Sequence, residues 1–244
     1  MNDLEKFFNQ HTGRLIHKWD HYFEIYERHF SRFRGKPITI VEFGVSQGGS
    51  IKMWQDYFGP QAQIVGIDIN PNCKQFEEPG VKILIGDQGN REFLRSVAAQ
   101  VPNIDILIDD GGHTMQQQIA TYEELFPRVA TDGVYLCEDM HTSYWRRFGG
   151  GYRRRASFIE YTKNFIDGIN AWHSREPGRL AVTDFTRTAH SVHFYDSIVV
   201  VEKRPMTAPT HRRMGTALFP DYDAPDVGVV SWVKRQVRRA RGKK

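Results

Sequence analysis

The chain has only two cysteines in 244 residues, Cys73 and Cys137, too few for a disulfide framework or a Cys-based zinc site. Cys73 lies between polar Asn72 and Lys74 and Cys137 inside an apolar run, so a reducing, cytoplasmic setting is expected. No stretch approaches the roughly eighteen consecutive apolar residues that a membrane span needs. The opening MNDLEKFF puts acidic residues where a signal peptide needs positive charge, so the sequence is not expected to be directed into or across a membrane. Internal repeats and long low-complexity linkers are also missing before residue 204. Acidic residues are absent from 231–244, which carry Lys234, Arg235, Arg238, Arg239, Arg241, Lys243 and Lys244. Without those seven, the net charge of +4 becomes −3, so the body is mildly acidic and no nucleic-acid partner is expected. What is present is ordinary for a folded globular protein: 40% hydrophobic residues before glycine is counted, and 25% charged.

Between Leu4 and Phe33, Trp19, Tyr22, Tyr26, Phe30 and Phe33 recur at helical steps with Ile25 on the same face, predicting one or two amphipathic helices. From Pro37 the pattern becomes strand-then-helix. ITIVEFGVS, QIVGIDIN, VKILIGDQ, IDILIDDGG and GVYLCEDM read as strands, and REFLRSVAAQV and MQQQIATYEELFPRVA as helices, with another helix near 157–173. LAVTDFT and VHFYDSIVVVEKR read as a final strand pair, turning near Thr188–Ser191. This alternation predicts an α/β fold: a doubly wound, mostly parallel seven-stranded sheet with N-terminal helices and an antiparallel last strand. Residues 1–36 would form a helical cap, 37–204 the catalytic domain and 205–244 a C-terminal extension.

Ligands of an open parallel sheet gather outside the carboxyl ends of its strands. The first strand ends in Glu42-Phe-Gly44-Val-Ser46-Gln-Gly48, a glycine loop that runs into a helix opened by Gly49 and Ser50. Backbone can approach a ligand closely there, although a tight turn with no ligand has the same composition. The loop departs from the GxGxxG dinucleotide fingerprint. Asp68 ends the second strand, twenty residues past Gly48, and suits ribose hydroxyls; Asp87 and Gln88 follow the third.

Asp109, Asp110 and His113 close the fourth strand, and Glu138 and Asp139 the fifth. Three carboxylates, Asp110, Glu138 and Asp139, would converge in one crevice, where their repulsion calls for a cation. All-oxygen ligands imply Mg²⁺, or a similar hard ion such as Mn²⁺. Histidine is the side chain suited to taking a proton near neutrality, so His113, three residues beyond Asp110, is expected as a general base that lies near the ion without being required as its ligand. The plainer alternative is that Asp109 and Asp110 cap the following helix.

E-x-G-x-x-x-G resembles the first motif of class I S-adenosylmethionine methyltransferases, and Asp87 the position that binds the adenine amino group in that family. LIDDGGH with CEDMHTSYW resembles the metal-dependent sugar O-methyltransferases of the macrolide-glycoside and rhamnosyl type, and a related branch named after cephalosporin hydroxylase. The likeness covers about residues 38–202. It implies S-adenosylmethionine held by Glu42, Gly44, Ser46, Gly48, Ser50, Asp68, Asp87, Gln88 and Asp109, a metal on Asp110, Glu138 and Asp139, and His113 as base. The implied acceptor is a saccharide hydroxyl, on a glycoside, oligosaccharide or glycolipid, and a homo-oligomer is expected. A phenolic or other small hydroxylated acceptor would use the same metal chemistry, and a cofactor-binding module without catalysis is the reading from another class. A nucleic-acid methyltransferase fits poorly, because no Asn-Pro-Pro-aromatic motif is present.

Other features have plainer expectations. His17 and His21 have zinc-like i,i+4 spacing, but Lys18 stands where the metalloprotease pattern needs Glu, so a helix surface is expected. His190 and His193 have no Cys or carboxylate cluster in sequence and are expected to be structural. Tyr144 and Trp145 could stack on a sugar or be buried anchors. The Arg- and Gly-rich stretch 146–155 is either a solvated loop or a substrate lid. Residues 227–241 read either as a basic amphipathic helix giving weak contact with anionic membrane or as a solubilising tail.

Overall fold

The computed structural model describes residues 1–219; the 227–241 segment and the basic run at 231–244 lie outside the described residues. Residues 1–208 form one compact unit, and 209–219, at the start of the second, carry neither helix nor strand. The sheet is built from β1 (Thr39–Phe43), β2 (Gln63–Asp68), β3 (Val81–Ile85), β4 (Ile104–Asp109), β5 (Val129–Cys137), β6 (Ala189–Tyr195) and β7 (Ile198–Lys203). Their spatial order is β3-β2-β1-β4-β5-β7-β6. β1 to β5 pair in parallel, while β7 is antiparallel to both β5 and β6. The doubly wound sheet with an antiparallel last strand is therefore the observed fold. Its order reverses between β1 and β4, the point at which such sheets open a crevice.

Two apolar layers cover the sheet. On one face α1 (Asp3–Gln10), α2 (Tyr22–Phe30) and α3 (Gly49–Phe58) bring Leu4, Tyr26, Phe30 and Trp54 against Ile40, Ile64 and Ile106. On the other, α4 (Arg91–Gln100), α5 (Met115–Leu125) and α6 (Phe158–Asn170) bring Leu94, Leu125 and Phe165 against Val41, Leu107 and Tyr135. Strand residues alternate between these two cores, so the central strands are apolar on both sides, as a covered parallel sheet requires.

Two local expectations fail. LAVTDFT is not a strand: residues 184–188 form the short helix α7 (Asp184–Thr188). Thr183 accepts from Thr186 N, and both halves of a capping box are present, so end-capping overrides the β-branched composition. VHFYDSIVVVEKR is not one strand but a hairpin. It turns at Asp196 and Ser197, with Ser197 at φ 64, rather than near 188–191. The N-terminal helices also stop short of each other: residues 11–21, including His17, form an irregular segment between α1 and α2.

Candidate functional site

The carboxyl ends of β1, β2, β4 and β5 open into a cavity of about 470 Å³, within the size range of small-molecule sites. It is walled by Gly44–Gln47 and Ser50 after β1, Asp68–Asn70 after β2, Gly86 and Gln88 after β3, Asp110–His113 after β4, and Glu138 and Asp139 after β5. The irregular segment adds Leu15 to Trp19, and α2 adds Tyr22.

The glycine loop is set by steric fit. Gly44 has φ 90, and a Cβ there would lie 1.9 Å from the carbonyl oxygen of Asp110, so only glycine lets the two strand ends touch. Ser46 N donates to Asp68 Oδ2 at 2.9 Å and Asn70 N to Asp68 Oδ1 at 2.8 Å, fixing that carboxylate at the cavity edge. The expected cofactor residues then divide. Gly44, Ser46, Ser50, Asp68 and Gln88 line the cavity. Glu42 is fully buried behind it, accepting from Ser50 Oγ and Trp54 Nε1. Asp109 is equally buried and accepts from Gln88 Nε2 at 2.6 Å, while Gln88 Oε1 accepts from Gly112 N. Burial lifts both carboxyls, Glu42 to about 7 and Asp109 to about 7. Gly48 and Asp87 do not line the cavity; Asp87 accepts from Gly89 N in its own turn.

The acidic end is more tightly wired than its motif suggests. His113 Nε2 lies 3.6 Å from Asp139 Oδ2 and 4.0 Å from Asp110 Oδ1. Ligand atoms of Asp110, His113 and Asp139 all lie within 4.8 Å of one another. His113 (φ 57) and Asp139 (φ 53) both hold left-handed backbone, and Thr142 Oγ1 donates to the carbonyls of both. Strain held in this way by its surroundings is a feature of functional sites. Helix capping also occurs here, but by Thr114, which caps α5; Asp109 and Asp110 do not.

Three residues of this network were not singled out from sequence. Tyr22 OH donates to Asp139 Oδ1 and Tyr26 OH to Glu138 Oε1, each at 2.8 Å. Their i,i+4 spacing on α2 was visible, but it read only as an apolar stripe. Lys18, expected on a helix surface, is instead buried, with Nζ 2.5 Å from Asp110 Oδ2 and 2.8 Å from Glu138 Oε2. Burial works against its charge, but Asp110, Glu138 and Glu42 outweigh burial and hold it well above the ordinary lysine range.

The remaining histidines and aromatics are placed as follows. His17 lines the cavity, while His21 precedes α2 and contacts the carbonyl of Asp196. His193 lies beside a histidine–carboxylate pair that the sequence did not show: His29 Nδ1 is 2.7 Å from Glu202 Oε1, and the His29 and His193 rings are 4.7 Å apart. These contacts pin α2 to the β6–β7 hairpin. Tyr144 and Trp145 are about half-exposed, and Trp145 packs on His141, which also meets Trp19. In the 146–155 stretch, Gly150 N and Gly151 N donate to the carbonyls of Trp145 and Ser143.

No family model matches the chain. It is 36% identical over 194 residues to the 8-demethyl-8-alpha-L-rhamnosyl tetracenomycin-C 2'-O-methyltransferase of Streptomyces olivaceus, covering 75% of this chain and 50% of the relative. It is 33% identical over 193 residues to the mycinamicin VI 2''-O-methyltransferase of Micromonospora griseorubida, covering 73% and 47%. Among solved structures, MycE methyltransferase from the mycinamycin biosynthetic pathway, in complex with Mg and SAH, superposes with a TM-score of 0.76 at 29% identity over 84% of this chain and 55% of that one. Its complex with Mg, SAH and mycinamycin VI gives 0.76 at 26% identity over 96% and 59%. The chain spans about half the length of the curated relatives it matches.

Proposed function

The chain is a class I methyltransferase by fold and resembles sugar O-methyltransferases in sequence, and from that premise we propose that it moves the methyl group of S-adenosylmethionine onto a saccharide hydroxyl with a divalent cation, Mg²⁺ or Mn²⁺. The observation that carries this reading is that Asp110, His113 and Asp139 meet in the same cavity as Gly44, Ser46, Asp68 and Gln88. Carboxylate oxygens within reach of one another, partly open to solvent, fit a hard divalent ion. Asp110 and Asp139 would hold it, with Glu138 beside them. When bound, the ion supplies Lewis acidity that eases loss of the acceptor's proton, and the cofactor supplies the methyl group.

The chain's own residues orient and deprotonate. Asp68, with both oxygens already fixed by backbone amides, receives the ribose hydroxyls, and the Gly44–Ser46 backbone gives the close approach that the cofactor needs. Glu42 and Asp109 act from behind, through Ser50, Trp54 and Gln88; Gly48 and Asp87 shape the adjoining turns. His113 takes the acceptor proton at Nε2, the nitrogen that faces Asp110 and Asp139. Leu15, Ile16 and Trp19 line one wall of the cavity. Both cysteines are unpaired and buried, which suits the cytoplasmic setting of this reading. The relatives' names support a glycosylated natural product as acceptor.

The test is incubation with S-adenosylmethionine and Mg²⁺ across rhamnosyl and macrolide glycosides, free sugars and simple phenols, read by product mass. Methylation of a glycoside on its sugar supports the reading. Methylation confined to phenols, or of none of the panel, overturns it.

A further inference from the structure

Lys18 has no part in the reaction as proposed, yet it is 3% exposed and sits between two of the three acidic side chains of the site. It reaches them across 92 and 120 residues of sequence. An unpaired ammonium at that depth costs several kcal/mol, and so does an unpaired carboxylate such as Glu138, which is 1% exposed. Each group makes the burial of the other tolerable.

Counting oxygens shows what the pairing leaves free. Asp110 Oδ2 and Glu138 Oε2 face Lys18, Glu138 Oε1 faces Tyr26, and Asp139 Oδ1 faces Tyr22. Of the six carboxylate oxygens, the two outside this set are Asp110 Oδ1 and Asp139 Oδ2, and both face His113 Nε2. The lysine thus occupies the Asp110–Glu138 side of the acidic cluster and leaves the Asp110–Asp139 side open beside the base.

We propose that Lys18 is a resident counter-cation of the metal site: it offsets one of the two negative charges of Asp110 and Glu138, confines the divalent ion to the oxygens next to His113, and weakens that ion's binding. This rests on the metal reading given above. Lys18 is a positioning residue, because it acts through the carboxylates. It also ties the 11–21 segment to the site. That segment packs tightly on the start of α3, where a Cβ on Gly49 would lie 2.3 Å from the carbonyl oxygen of Leu15. The wall of the cofactor cavity and the charge balance of the metal site are thereby joined in one stretch of chain.

Two opposed effects distinguish this role from simple packing. Lys18→Met removes a positive charge a few ångströms from the ion, so Mn²⁺ affinity should rise on the order of tenfold. The same change leaves carboxylates unpaired, so the metal-free protein should melt lower, and Mg²⁺ should then raise its Tm by more than it raises the parent's. Lys18→Arg keeps the charge and should keep the parent's Mn²⁺ affinity to within a few-fold. Binding is read on the full chain from the electron paramagnetic resonance signal of free Mn²⁺, and stability from melts in chelator and in Mg²⁺. Lys18→Gln replaces the Met variant should that one not fold. Unchanged or weaker Mn²⁺ binding in the neutral variant, with the parent binding normally, overturns the proposal alone. A parent that binds no Mn²⁺ overturns the metal reading itself and the proposal with it.

Discussion

At the scale of residues, the account puts the proton on His113 and the charge balance on its neighbours. His113→Ala should lower turnover by about 10²–10⁴-fold, the usual contribution of a general base, while calorimetric affinity for S-adenosylhomocysteine stays near the parent's. A variant as fast as the parent would remove His113 from the role. Glu42 gives a pH prediction. Burial, opposed by Lys18, Trp54 and Ser50, lifts its carboxyl from 4.5 to about 7. Because the folded pKa lies above the unfolded one, the folded chain keeps the proton longer, and stability falls as pH rises through that interval. Glutamine does not titrate, so the Tm of Glu42→Gln relative to the parent should improve between about pH 5 and about pH 8. An identical difference at both pH values would contradict the burial argument. Asp110, His113 and Asp139 were legible in the sequence because strand ends announce themselves. Lys18, Tyr22 and Tyr26 were not, since their partners lie about a hundred residues away and nothing local distinguishes a lysine that folds inward from one that faces water.

At the scale of elements, the site depends on strand ends that touch. Gly44→Ala would drive a Cβ into the Asp110 carbonyl and displace the segment that carries His113. Gly35, also at positive φ, has nothing within 4 Å of its would-be Cβ. Gly35→Ala should cost only the left-handed strain of about 1–2 kcal/mol. Gly44→Ala should cost several kcal/mol and also weaken Mn²⁺ binding. Equal melting temperatures for the two would show that the contact is not needed. The parallel strands could be read because burial on both faces writes continuous apolar runs. The end of the sheet was misread where capping by Thr183 and a two-residue turn at Asp196 and Ser197 decided the outcome, signals shorter than any periodicity.

At the scale of the whole molecule, a seven-stranded sheet places a glycine loop, a ribose-suited carboxylate and an acid–base cluster around one cavity. Sequence order separates these parts by tens of residues, and the strand order reversal between β1 and β4 brings them together. The wall contributed by residues 15–19 was not foreseen, because an irregular segment leaves no pattern to read. S-adenosylhomocysteine should raise the Tm of the parent, and Asp68→Ala should lose much of that gain. The most direct measurement is the rate of methyl transfer from S-adenosylmethionine to a glycoside acceptor, followed by product mass in excess chelator and again after Mg²⁺ is restored. The account predicts loss of turnover in chelator and recovery with Mg²⁺ or Mn²⁺; full turnover in chelator would contradict it.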